Sequence, residues 1–159
     1  MAIYLKYGDT VKGGVTTTGF VDQIMLSSVQ WGVGRAIASP TGQGTNRESS
    51  VASISEVSCS KEFDKSSNGL FQEALLGKGV TAVITVTRTA QGAEDKFLEY
   101  TLTNAMISGY SVSSSGDRPS ESFSINFTKI SSSVTLGDAT NADGTPDVVG
   151  WDLALSAKV

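Results

Sequence analysis

Between Ser53 and Gly79 the sequence S-I-S-E-V-S-C-S-K-E-F-D-K-S-S-N-G-L-F-Q-E-A-L-L-G-K-G changes its apolar period from two to helical, and nowhere else does a strand pattern yield to a helix pattern. Up to about Phe63, the apolar residues Val57, Cys59 and Phe63 keep even spacing, as in a half-buried strand. Leu70, Phe71, Ala74 and Leu75 then follow at i, i+1, i+4 and i+5, which puts them on one face of a helix over about residues 67–77. Ser66 or Ser67 can cap its start, and Gly77, able to take a left-handed conformation, can end it. The pattern predicts a mostly β fold with one short α-helix and long loops.

The rest of the chain reads as strand and turn. A first strand spans about Ala2 to Tyr7 and is followed by a loop through Gly13, Gly14 and Gly19. From Phe20 to Ile37 the odd positions Val21, Met25, Val29, Trp31, Val33 and Ile37 are apolar, predicting one long strand bent at Gly32 and Gly34, with Ser28 and Gln30 on its other face. Ala38 to Ser50 has no period and reads as a long loop. Val80 to Thr89, with Val80, Ala82, Ile84 and Val86 on one face, and Phe97 to Val112 form a hairpin through Q-G-A-E-D. A third strand starts near Glu121. Its apolar phase slips between Phe127 and Ile130, predicting a bulge or corner. A loop from Gly137 to Pro146 precedes a last strand, Val148 to Leu155, that carries Trp151. At 159 residues the chain is expected to be a single domain over 1–159.

Composition removes several functions. With 12 basic residues scattered among 16 acidic ones, for a net charge of −4, there is no stripe for a phosphate backbone, and no nucleic-acid partner is expected. No apolar run approaches a membrane span and the N-terminal M-A-I-Y-L-K-Y-G-D has no signal-peptide pattern, so the reading is cytoplasmic synthesis without membrane insertion. The lone Cys59 permits no intrachain disulfide.

Histidine is absent, so neither a Ser-His-Asp nor a Cys-His group can be built. Ser58 and Lys61 form an S-x-x-K spacing, but on a strand an offset of three sends the two side chains to opposite faces. Cys59 is in phase with Val57 and reads as core. The loop with Asp138, Asn141, Asp143, Gly144 and Asp147 fails the calcium-loop template: with Gly144 sixth, the first position is Ala139 and the twelfth Gly150. Gly32-Val33-Gly34 and Gly77-Lys78-Gly79 open no helix, and Glu94 and Asp95 are adjacent, so they diverge on a strand. No catalytic, cofactor-binding or metal-ligating residue is predicted, and the chain is expected not to be an enzyme.

K-E-F-D-K-S-S-N-G-L (61–70), G-D-R-P-S-E-S-F-S-I-N-F (116–127) and V-V-G-W-D-L (148–153), in this order, resemble the haemolysin-coregulated protein (Hcp) family, the tube protein of bacterial type VI secretion. The resemblance implies a small antiparallel β-barrel with one helix, forming homo-hexameric rings that stack into a tube, carry effector proteins in the lumen and leave the cell. It also implies a VgrG-type spike and a contractile sheath as partners. It points to the Ala38–Ser50 loop as projecting toward a neighbouring ring, with Pro40, Arg47 and Glu48 as candidate stacking residues. Ser28 and Gln30, by their phase against Trp31, are candidate lumen residues, and Thr81, Thr85 and Thr87 a second candidate wet face. The competing readings are a phage-tail-tube-like protein, a monomeric β-sandwich ligand-binding module, which would expose aromatics on one face whereas both tryptophans read as buried by phase, and a Ser-Lys hydrolase using Ser58.

Overall fold

A two-residue turn organises the largest hairpin. In the computed structural model, which describes residues 1–159 except Gln43, Ala139 and Asn141, β7 (Val80–Ala90) and β8 (Ala93–Ser113) are joined by Gln91 and Gly92 alone. Both have positive φ, 49° and 79°, the hairpin geometry that matches the right-handed twist of the strands it joins. The expected five-residue connection is therefore shorter, and Ala93, Glu94 and Asp95 already pair with β7. Strand β8 runs for 21 residues and bends where Asn104 has φ 54°. There the register moves from Ala82↔Leu102 to Val80↔Ala105, so two residues of β8 face one of β7. The first half of β8 pairs with β7 and β10 (Lys129–Val134), the second with β9 (Ser120–Asn126).

Ten strands join in one antiparallel sheet. Strand β7 pairs with β1 (Ile3–Tyr7), and β1 with β2 (Ile24–Leu26). Beyond β2, the Ser27 amide donates to the Ser60 carbonyl at 2.8 Å, and β3 (Ser28–Gln30) pairs with β6 (Val57–Glu62), which pairs with β9. Strands β11 (Asp147–Asp152) and β12 (Ala157–Lys158) extend the sheet beyond β10. The chain crosses from β9 to β10 at Phe127 and Thr128, where the apolar phase slips, and changes neighbours from β6 to β11. Between the two halves lies a core that includes Leu5, Ile24, Leu26, Val57, Cys59, Leu70, Ile84, Leu102, Ile107, Phe123, Ile125 and Ile130.

Two expectations need correction. The stretch from Phe20 to Ile37 is not one strand with an apolar odd face: Ile24 and Leu26 are buried, while Val21, Met25, Val33 and Ile37 are exposed. A bend at Ser27 flips the phase, leaving Val29 and Trp31 half-buried, and the chain then leaves the sheet as an arm built on β4 (Val33–Gly34) and β5 (Ser53–Ile54). Helix α1 (Ser67–Leu76) has the expected place, but Leu70 alone of its apolar residues is fully buried. Its caps also differ. Gly77 is extended (φ −61°, ψ 147°) rather than left-handed, and the Ser66 side chain makes no cap. Asp64 does the work two residues earlier. Its Oδ1 accepts from the Ser66 amide at 2.8 Å, while Ser67 Oγ accepts from the Asp64 amide at 3.0 Å, the reciprocal arrangement of a capping box.

Candidate functional site

Strands β3, β6, β9 and the second half of β8 turn a face of hydroxyls outward. Strict alternation in V-S-C-S-K and E-S-F-S-I-N sends Val57, Cys59, Phe123 and Ile125 into the core and Ser58, Ser122 and Asn126 out. Register aligns them in rows. One row runs Ser28↔Ser60↔Ser122↔Ser111, with Ser28 Oγ 2.5 Å from Ser60 Oγ; the next runs Gln30↔Ser58↔Ser124. Ser28 and Gln30 thus lie exposed on this face. Glu56 stands at its margin, its Oε2 accepting from Ser108 Oγ at 2.7 Å and its Oε1 from Asn126 Nδ2 at 3.1 Å. These hydrogen bonds, Ser108's foremost, hold the carboxyl below its ordinary value. The face offers many short donors and acceptors and little apolar grip.

The threonine face does not exist as expected. Thr85 and Thr87 are buried, as are Ala82 and Ile84, so β7 turns side chains of both phases inward. Thr87 Oγ1 is occupied by the Ala2 amide at 3.2 Å and by Glu94 at 3.2 Å.

The expected Ala38–Ser50 loop folds back on itself. The Ala38 amide donates to the Arg47 carbonyl at 2.8 Å and the Ser49 amide to the Ala36 carbonyl at 3.0 Å, making a ladder that continues into β4 and β5. Every described residue from Gly32 to Val51 is exposed, so the hairpin stands away from the body as an arm. Its candidate residues have partners inside the arm. Arg47 Nε donates to the Ala38 carbonyl at 3.0 Å, and Glu48 pairs with Arg35 at 2.7 Å; Pro40 lies exposed near the tip. Such exposed pairs stabilise little and leave both charges within reach of a partner.

Among the described residues, two of the exposed apolar surfaces gather several side chains. Trp31, Val33, Ala52, Ile54, Ile130, Val149 and Trp151 line an open cleft of about 200 Å³. The two tryptophans are half-buried, not enclosed as their phase suggested, and Trp31 and Tyr100 meet at near right angles with ring centres 5.4 Å apart. The other surface is on α1, where Phe71, Leu75 and Leu76 are exposed.

The sequence profile of the family described as type VI secretion system effector, Hcp, matches residues 4–133. The chain belongs to the Hcp family. No curated protein matches it significantly in sequence. Solved structures share the Hcp fold: a type six secretion system protein superposes with TM-score 0.89 at 23% identity, over 99% of both chains. Hcp1 from Salmonella typhimurium does so with TM-score 0.79 at 20% identity, over 99% of this chain and 98% of its own. A type VI secretion system effector from Yersinia pestis gives 0.73 at 18%, over 94% and 98%.

Two of the stretches that carry the Hcp resemblance meet in a buried polar cluster. Lys61 and Glu121, both 0% exposed at the side chain, pair at 2.5 Å between β6 and β9. Lys61 Nζ also reaches Asp64 Oδ1 at 2.8 Å; Ser67 Oγ donates to Glu121 Oε2 at 2.9 Å and Tyr110 to Glu121 Oε1. The cluster therefore ties β6, β8 and β9 to the start of α1. The signal for it was present: Lys61 is in phase with Val57 and Cys59, and Glu121 with Phe123 and Ile125. Ser58 is exposed on the opposite face from Lys61, so the S-x-x-K pair is not brought together. Cys59 is buried, and burial pushes its thiol up to about 12. Gly79 permits close packing, since a Cβ there meets Asn104 Oδ1 at 1.7 Å. In the Gly137–Pro146 loop, Asp138 caps Thr140 and Ala142 and Asp143 pairs with Arg88 at 2.8 Å, while Ala139 and Asn141 lie outside the described residues. Among the described residues no three His, Cys, Asp or Glu side chains gather as metal ligands, and no helix is long and apolar enough to cross a membrane.

Proposed function

We propose that this chain is a structural tube subunit of the type VI secretion machine, six copies closing into a ring and rings stacking into a tube whose lumen carries effectors. One observation carries this reading: the protomer exposes more surface than a compact monomer of its mass, part of it on the arm. Its accessible surface is 9445 Å², whereas a compact monomer of 16.6 kDa exposes about 7,600 Å². The excess, about 1,850 Å², is close to what a ring member gives up at two standard interfaces of about 800 Å² on each side.

The pairing order supports a barrel protomer, because following partners through β1, β2, Ser27, β3, β6, β9, β8 and β7 returns to β1. The hydroxyl face containing Ser28 and Gln30 lines the lumen, where rows of serines bind water and let cargo pass without sticking. The arm bearing Pro40, Arg47 and Glu48 reaches the neighbouring ring. A VgrG-type spike, a contractile sheath and effector proteins complete the set of partners, and the protein is synthesised in the bacterial cytoplasm and delivered outside the cell by the machine.

Native mass across a dilution series at moderate salt tests the reading. A hexamer is expected, with stacked tubes by electron microscopy at high concentration; a monomer throughout overturns it.

A further inference from the structure

One charge on the hydroxyl face is fixed in place and has no cation beside it. The outward side of β6 ends in Glu62 at one margin and is continued by Glu56 at the other. Glu62 has Arg118 Nη1 at 3.6 Å, whereas Glu56 meets only uncharged donors among the described residues. Those donors come from two other strands: Asn126 Nδ2 of β9 reaches Oε1 at 3.1 Å, and Ser108 Oγ of β8 reaches Oε2 at 2.7 Å. Ser108 is the extra residue of a bulge. The register passes from Ile107↔Ile125 to Gly109↔Ser124, and Ser108, left without a partner on β9, is turned onto the carboxylate. An exposed glutamate ordinarily samples many rotamers; here the ordering is done before any ligand arrives.

Beside Glu56, at the base of the arm, Gln30, Trp31, Gly32, Ser55, Glu56 and Ser58 line an open hollow of about 540 Å³, the size of a small-ligand site. Among the described residues no lysine or arginine lines it. A carboxylate, an indole and several hydroxyl and amide oxygens together suit an ammonium or guanidinium group. The charge goes to the carboxylate, the remaining N–H groups to the neutral oxygens, and the aliphatic stem to the indole.

We propose that this hollow is a docking point for a lysine or arginine side chain of the cargo, with Glu56 as the residue that selects it. The proposal rests on the lumen reading of the hydroxyl face and adds the chemistry of what that face holds. The serine rows give a passing segment no charge to grip, and Glu56 at their end does. In a ring the hollow recurs in every copy, so a segment with several basic side chains engages more than one and is held by avidity. The hydrogen bonds from Ser108 and Asn126 keep the carboxylate charged to a lower pH than an ordinary glutamate, so mild acid does not release the cargo.

The test is the fluorescence anisotropy of a labelled oligolysine peptide titrated with the protein at low salt, with native mass measured on the same samples. Wild type is expected to bind it and not to bind an oligoglutamate of equal length. Glu56→Gln is expected to weaken binding at least about tenfold. Glu62→Gln makes the same change in net charge on the same strand and is expected to alter binding less than about twofold. No binding by wild type, binding that Glu56→Gln leaves unchanged, or equal losses in the two variants overturns the docking point and leaves the ring reading standing. A monomeric wild type overturns the ring reading, and the same titration on the protomer still decides whether Glu56 takes the cation.

Discussion

Lys61 and Glu121 show how an ion pair can serve a fold without being a strong source of stability. Each is enclosed, and each has further partners in Asp64, Ser67 and Tyr110. Removing one partner strands a buried charge, so Lys61→Met is expected to lower unfolding free energy by about 3–5 kcal/mol, whereas Lys61→Met with Glu121→Leu recovers most of the loss. Urea unfolding of the two variants checks this, and equal losses would refute it. Asp64 adds a pH dependence. Burial pushes its carboxyl up, but hydrogen bonds from Lys61 and Ser66 outweigh burial and hold it below its ordinary 3.8. A carboxyl depressed in the folded state contributes stability that is full above the unfolded value and is lost as pH falls through the folded one. Asp64→Asn is therefore expected to be less stable than wild type at neutral pH and to converge with it in acid. Melting temperatures from pH 7 down to pH 2 measure the convergence, and parallel curves would sink the assignment.

Among the elements, those set by local pattern were legible in the sequence and those set by distant partners were not. Helix α1 and the β7–β8 hairpin follow from spacing and a Gly-containing turn, and the phase slip near Phe127 marked a true corner. Two departures from the pattern escaped. Ser27 bends because its amide is claimed by Ser60, and Thr87 turns inward where it meets Ala2, 85 residues away. The arm also escaped, since A-S-P-T-G-Q-G-T-N-R-E-S-S has no apolar period and its hairpin is held by backbone ladders and the Arg35–Glu48 pair. Of the candidate site, Ser28 and Gln30 were readable by alternation, but the rows joining them to β8 and β9 are a product of register. Because the described residues of the arm's outer part are all exposed, replacing residues 39–46 with Asn-Gly is expected to leave protomer stability within about 0.5 kcal/mol, as surface changes do. Rings should persist and stacked tubes disappear. Tubes of normal length in electron micrographs of that variant would remove the arm from the axial contact.

For the whole molecule, the surface excess predicts stability that depends on concentration. If protomers are covered on both sides only in the ring, each tenfold increase in protein above the assembly midpoint adds about 1.4 kcal/mol for every associating contact, and the melting temperature rises with it. A melting temperature unchanged across a hundredfold dilution would contradict coverage by other copies. The pairing of β1 with β7 carries a separate consequence, one of timing. Ile3 pairs with Val86 and Tyr7 with Ala82, so the first strand has to wait for more than 70 further residues to be synthesised before its long partner exists. At about 5–20 residues per second the wait lasts about 4–15 s, during which an apolar strand that already has β2 as a neighbour keeps its other edge unpaired. A β fold of such long-range pairing also closes slowly once its parts are present. The growing chain, rather than the folded protomer, is thus the stage most open to aggregation, and the stage at which a chaperone has the most to protect.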